Sequence, residues 1–179
     1  MCPVNVSIVV TCEEQQLELR RLLPELLSMQ YDGEYEVIVV DKIHDKDLKE
    51  WLEEMEVHFS HLCHTFCSPT AKGIDVHRFA LTLGAKAANY EWIVVMPVDA
   101  VLPDKDWLSR FTASCTDDVD VVKGIGRRSL WHRLMYNVFR RKLSVFTPTS
   151  SIYLCRRSLL LQANTYVPKG RIIFCPIVK

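Results

Sequence analysis

After Asp120 this 179-residue chain has no carboxylate at all. All 22 Asp and Glu lie within residues 1–120, beside 10 Lys and Arg; residues 121–179 hold 12 Lys and Arg. The formal charges of the two parts, −12 and +12, cancel. No Asp or Glu in the second part can serve as a general base, because none is there. Such a split points the basic part either at an anion (phosphate, lipid head group or nucleic acid) or at the acidic part of its own fold.

Other absences narrow the class further. No apolar run approaches the roughly 20 residues of a membrane-spanning helix. The opening "MCPVNVSIVV" has neither a basic n-region nor a small-residue cleavage site, so no secretory signal is expected. No G-x-G-x-x-G follows the first apolar run, which argues against a dinucleotide fold. No G-x-x-x-x-G-K-[ST] occurs, which excludes a P-loop NTPase. The seven cysteines are odd in number, and with no sign of export they read as reduced thiols in the cytoplasm. No internal repeat or low-complexity segment is visible. A composition 49% hydrophobic and 25% charged is that of a globular chain, and the length suits one domain with a real core.

What is present alternates between two periodicities. "VSIVVT" (Val6–Thr11) and "YEVIVVD" (Tyr35–Asp41) are short β-branched runs that predict buried strands. Between them Leu19, Leu22, Leu23, Leu26 and Leu27 line one helix face, with Pro24 expected to kink or interrupt it. A charged helix follows over about 45–57, with Leu48, Trp51, Leu52 and Met55 on one face. "HLCHTFC" is a short third strand. "GIDVHRFALTLGAKAANY" is a helix with Ala80, Leu83 and Ala87 turned inward. Trp92–Met96 is a fourth strand and "DKDWLSRF" begins a helix with acids in its first turn, where the helix dipole favours them. "DVDVVKGI" is a fifth strand. Leu130, Trp131, Leu134, Met135, Val138 and Phe139, flanked by six Arg and Lys from Arg127 to Lys142, predict a basic amphipathic helix. Such a helix either covers a sheet face or lies on an anionic membrane surface. "TPTSS" is a turn, "SIYLC" a strand, "RRSLLLQA" a helix and "RIIFCPIVK" a last strand. The pattern is α/β: a mostly parallel sheet with helices on both faces, in three αβα layers.

In an open parallel sheet, ligands bind beyond the carboxyl ends of the strands. Thr11–Glu14 after the first strand, Asp41 after the second and Asp99 after the fourth share that edge. Together they suggest a crevice for a nucleotide-like ligand.

"VSIVVTCEEQQLELRRLLPELL", "YEVIVVD", "HRFALTLGAKAANYEWIVVMPVDAVLPDKDWL" and "SSIYLCRRSLLL" resemble, in order and spacing, the successive segments of a family 2 glycosyltransferase of the GT-A nucleotide-sugar-binding fold. The resemblance covers about residues 5–162 and is strongest from "GAKAANYEW" through D-x-x-x-P-x-x-x-W-L. It implies transfer of a sugar from a nucleoside diphosphate donor to an acceptor in glycan or polysaccharide synthesis, with Mg²⁺ or Mn²⁺. Its partners would be the nucleotide sugar and, through the basic part, a phosphate-bearing acceptor or an anionic membrane surface; nucleic acid is not expected. It divides the single domain 1–179 into a nucleotide-sugar-binding half, 5–125, and a basic, incomplete acceptor half, 126–179. Carried over residue by residue, it implies nucleotide-sugar contacts at Thr11, Glu13, Asp41, His77, Arg78 and Asp99, with Asp99 also the metal ligand. With the cysteines read as reduced thiols, the expected location is cytoplasmic, peripheral to a membrane if the basic helix binds one.

The departures from the family pattern are specific. The metal motif Asp-x-Asp, whose i and i+2 carboxylates point the same way, reads Pro97-Val98-Asp99 here. Asp99 matches the usual metal ligand and Pro97 replaces the acid that more often holds ribose. The Asp-Asp-Gly-Ser after the second strand reads Asp41-Lys42-Ile43-His44. The acidic pair that supplies the base beyond the acceptor segment has no match before Lys179. Two readings follow: a working transferase whose base is Glu13, Glu14 or an acid of another chain, or a catalytically silent relative serving as a binding or assembly module, which the lost motifs favour. A third reading takes His58, His61, Cys63, His64, Cys67 and His77 as a source of zinc ligands, making a zinc-binding interaction domain.

Overall fold

A computed structural model describes residues 3–67, 75–102, 104–125, 152–161 and 171–176. The elements are β1 (Val6–Cys12), α1 (Gln16–Leu27), β2 (Tyr35–Asp41), α2 (Lys46–His58), β3 (Leu62–Phe66), α3 (Val76–Ala87), β4 (Trp92–Pro97), α4 (Trp107–Thr112), β5 (Val119–Ile125), β6 (Tyr153–Arg156), α5 (Arg157–Leu161) and β7 (Arg171–Pro176). The expected basic helix at 127–142 and the "TPTSS" turn lie outside the described residues.

All seven strands among the described residues form one sheet, in the order β3-β2-β1-β4-β6-β5-β7. β1 pairs in parallel with β2 and β4, β2 with β3, and β5 with β7. Only β6 is reversed, antiparallel to β4 and β5. The sheet is therefore mixed but mostly parallel. From β1 the chain steps outward to β2 and β3, then returns to the other side of β1 as β4. That reversal puts a topological switch point between β1 and β4, where open α/β sheets leave a crevice at their carboxyl edge.

Strand alternation divides the core in two. Val6, Ile8, Val10, Val37, Val39, Val94 and Met96 face one layer with the leucines of α1, Leu48 and Leu52 of α2, and Trp107 and Phe111 of α4. Val9, Ile38, Val40, Ile93 and Val95 face the other with Ala80, Leu81 and Ala85 of α3 and Leu159 and Leu160 of α5. Because both faces are covered, the central strands carry no polar alternation, apart from the buried Ser7. Its hydroxyl donates to Glu36, whose carboxylate also receives Asn89 N and Nδ2 at 2.7 Å. This ties the start of β1 and β2 to the α3–β4 turn.

Three expectations change. Helix α1 runs unbroken through Pro24. Pro24 is exposed, so the carbonyl that loses its partner lies on the solvent side while the leucine face stays packed. The inward face of α3 is Ala80, Leu81, Gly84 and Ala85, with Leu83 and Ala87 only at its rim. Helix α3 turns its smallest residue to the sheet: a Cβ on Gly84 would fall 2.5 Å from Val9 Cγ1. The acids before α4 precede the helix, where Asp104 receives Asp106 N and pairs with Arg110 at 2.8 Å. No helix among the described residues is long and apolar enough to cross a membrane.

Candidate functional site

The carboxyl edge of β1, β2 and β4 carries most of the residues expected to act. Register fixes their neighbourhood: Thr11 lies beside Pro97 of β4 and Val40 of β2, and Cys12 beside Asp41. Asp99 follows two residues after Pro97, in a turn closed by Ala100 N to Pro97 O at 3.1 Å. Its carboxylate is exposed and engages no hydrogen bond or ion pair among the described residues. Arg21, reaching from α1, holds this turn by donating Nη2 to Ala100 O at 3.3 Å. Arg21 was not foreseen, because nothing local marks an arginine on a helix as the support of a loop 79 residues away.

Asp41 is buried, and its two carboxylate oxygens accept the backbone N–H groups of Ile43 and Asp45, each at 2.9 Å. Its backbone carbonyl accepts from Cys67 N at 2.7 Å. The loop after β2 is thus folded around Asp41 instead of around a glycine turn. His44 in this loop takes φ 63°, the left-handed region, and its ring lies 4.1 Å from that of Phe66. Asp45 then caps α2 through Leu48 N.

Lys42 turns back across β1. Its N–H donates to Cys12 O at 2.9 Å, and its ammonium pairs with Glu13 Oε2 at 2.5 Å. The start of α3 closes the group, with Asp75 capping Arg78 N at 3.2 Å. His77 is exposed at the surface, yet protein around its ring lowers its pKa from 6.5; the charge of Lys42 lowers it further, while Asp75 and Glu13 oppose. Burial raises the Cys12 thiol to about 11, with the Asp41 charge as a second cause, so it stays protonated beneath the site. Glu13, Lys42 and His77 therefore form one electrostatic group at the β1–β2 end, and Asp99 stands at the β1–β4 end.

The zinc reading does not fit this arrangement. Cys63 and His64 are successive residues of β3 and point to opposite faces. His61 packs edge-on against Tyr35 and Phe59, and His64 Nδ1 lies 2.9 Å from Glu56. Among the described residues no group of three or more His, Cys, Asp or Glu is placed to hold a metal ion.

The family model for glycosyl transferase family 2 matches residues 7–179. The chain belongs to that family. Among solved structures, this family 2 chain resembles a mannosyltransferase from Pyrobaculum calidifontis in complex with GDP-Man and Mn²⁺, with TM-score 0.71 and 17% identity over 97% of this chain and 55% of that one. It also resembles glucosyl-3-phosphoglycerate synthase from Mycobacterium tuberculosis in complex with Mn²⁺, UDP and glucosyl-3-phosphoglycerate, with TM-score 0.59 and 19% identity over 87% and 58%. The same synthase in complex with Mn²⁺, UDP-Glc and glycerol 3-phosphate gives TM-score 0.59 at 20% identity. The family 2 chain thus spans a little over half the length of these structures, and the likeness shows a GT-A fold. No curated protein sequence matches it significantly.

Arg156 and Arg157, from the acid-free part, both turn to the body of this family 2 chain. Arg156 stacks over Trp92 at 4.7 Å and donates to Thr116 O and Asp117 O. Arg157 donates to Ala85 O at 2.7 Å and Lys86 O at 3.2 Å, joining α5 to the end of α3. For these two, the acidic and carbonyl-rich part of the same fold is the partner.

Proposed function

We propose that this chain binds a nucleoside diphosphate sugar in the crevice lined by Thr11, Glu13, Asp41, His77, Arg78 and Asp99, as the donor-binding part of a glycosyltransferase acting in glycan or polysaccharide synthesis. The observation that carries it is the gathering of those strand ends at one edge, beside a switch point, with the Asp99 carboxylate unengaged. The residues suit Mg²⁺ or Mn²⁺: a hard divalent ion accepts one carboxylate when substrate phosphates complete its shell. Asp99 would hold it, and the ion would neutralise the donor's diphosphate. Thr11 and Asp41 set the floor of the crevice, and His77 and Arg78 flank it from α3. With no carboxylate after Asp120, a base drawn from this chain comes from the acidic part. Glu14, exposed after β1 and with no partner among the described residues, is placed at the right edge. A donor-binding module without turnover is the second reading, favoured by Pro97 at the ribose position.

Both readings require donor binding. UDP and GDP, with and without Mn²⁺, should raise the melting temperature, and a ligand at 100-fold its Kd stabilises by about 2.7 kcal/mol. No shift with either nucleotide would remove both. Release of nucleoside diphosphate from a nucleotide sugar, abolished by Glu14→Gln, would select the first.

A further inference from the structure

The bonding of Lys42, at the edge of the crevice, is lopsided. Its side chain is only 12% exposed, whereas Glu13, its partner, is 55% exposed. A covered ammonium needs an anion beside it. A half-exposed carboxylate does not need the ammonium, because water replaces it at little cost. The backbone of Lys42 is held at the strand end by its N–H to Cys12 O, and the covered cation is less free to leave than its half-exposed anion. The ammonium is also felt by the Cys12 thiol under β1, by Cys67 beyond β3 and by His77 at the start of α3. It therefore sits where the ends of three strands and the first turn of α3 meet.

We propose that Lys42 is an anion contact of the nucleotide crevice, and that Glu13 holds it in reserve by occupying the place of a ligand phosphate until a nucleotide displaces it. This rests on the nucleotide-sugar reading above. The exchange is favourable because a diphosphate carries more charge than one carboxylate and offers more acceptor oxygens to the same cation. The released Glu13 carboxylate returns to water, its charge facing away from the phosphates. Binding in this chain is then a substitution at a preformed cation, and Glu13 sets its threshold.

The test is calorimetric titration with UDP and with GDP, each with Mn²⁺, of the wild type, Glu13→Gln, Lys42→Met and the double variant, all checked for folding by thermal melts. Glu13→Gln should tighten binding about two- to fivefold, the range that an exposed ion pair commands. Lys42→Met should weaken it about tenfold or more, as expected for one charge-assisted hydrogen bond. In the Lys42→Met background, Glu13→Gln should change nothing. Wild-type binding that neither single variant alters would overturn the exchange and leave the nucleotide reading standing. Weaker binding by Glu13→Gln would also overturn it, by making Glu13 a direct contact. Absence of binding in all four proteins would overturn both proposals.

Discussion

The carboxylate of Asp41 accepts the backbone N–H of Asp45 at 2.9 Å, and Asp45 in turn caps α2 through Leu48 N at 2.8 Å. One buried acid thus begins a line of bonds that shapes the rim of the crevice and anchors a helix. Asp41→Ala would leave two loop N–H groups without acceptors and should cost about 2–3 kcal/mol in urea unfolding. Asp41→Asn keeps one acceptor oxygen and should cost less. Equal stability of all three proteins would mean that the loop does not depend on Asp41.

Gly84 and Val9 set how closely α3 lies on the sheet. A methyl group at Gly84 meets a stiff, fully buried valine at 2.5 Å and Val40 Cγ2 at 3.3 Å. Overpacking costs about 1–3 kcal/mol, and alanine regains up to about 1 kcal/mol of helix propensity. Gly84→Ala should therefore lower stability by up to about 2 kcal/mol net. Gly84→Val should be worse. An unchanged or raised melting temperature for Gly84→Ala would show that α3 has room to move.

The His77 pKa reports the charges around it. It lies below 6.5 in the folded chain, through partial burial first and Lys42 second. As pH falls, the unfolded chain takes up this proton before the folded one does. His77 therefore contributes stability above the unfolded value of 6.5 that is lost as pH falls through the folded one. Lys42→Met should raise the pKa and Glu13→Gln should lower it further. An NMR titration of His77 that finds 6.5 or above in the wild type would contradict this geometry.

Thiol chemistry should follow exposure. Of Cys12, Cys63, Cys67, Cys115 and Cys155, Cys63 is the exposed one, while Cys12, Cys67 and Cys155 are buried. Burial holds Cys12 near 11 and Cys115 near 12. Brief iodoacetamide treatment at pH 8, followed by peptide mass spectrometry, should label Cys63 first of these five. Labelling of Cys12 at a similar rate would mean that the β1 end opens in solution.

Arg21 and Asp99 divide support from contact. Asp99 is exposed, so Asp99→Ala should leave the unliganded melting temperature nearly unchanged and remove the Mn²⁺-dependent part of the nucleotide shift. Arg21→Ala frees the Ala100 carbonyl and should weaken nucleotide binding about three- to tenfold, one neutral-acceptor hydrogen bond being worth about 0.5–1.5 kcal/mol. A Mn²⁺ response identical in Asp99→Ala and wild type would take the metal away from this carboxylate.

By itself the sequence determined most of the described elements, the layers and the sheet edge to which Thr11, Asp41 and Asp99 belong. β-branched runs and leucine spacing are local signals, because buried strands and amphipathic helices must repeat at 2 and 3.6 residues. The ends of those runs place Thr11, Asp41 and Asp99 without any coordinates. What only the tertiary structure decided were relations between distant residues. Strand order set β1 between β2 and β4, and so put Thr11 beside Pro97. The Lys42–Glu13 pair crosses two strands, Arg21 reaches a loop 79 residues away, and Asp41 turns its carboxylate to its own loop. Pro24 stays inside α1 because packing on one face outweighs a bond lost on the other. The candidate zinc ligands, close in sequence, are parted by the alternation of β3. Periodicity is written residue by residue, whereas a pairing of charges depends on which strand ends the fold makes neighbours.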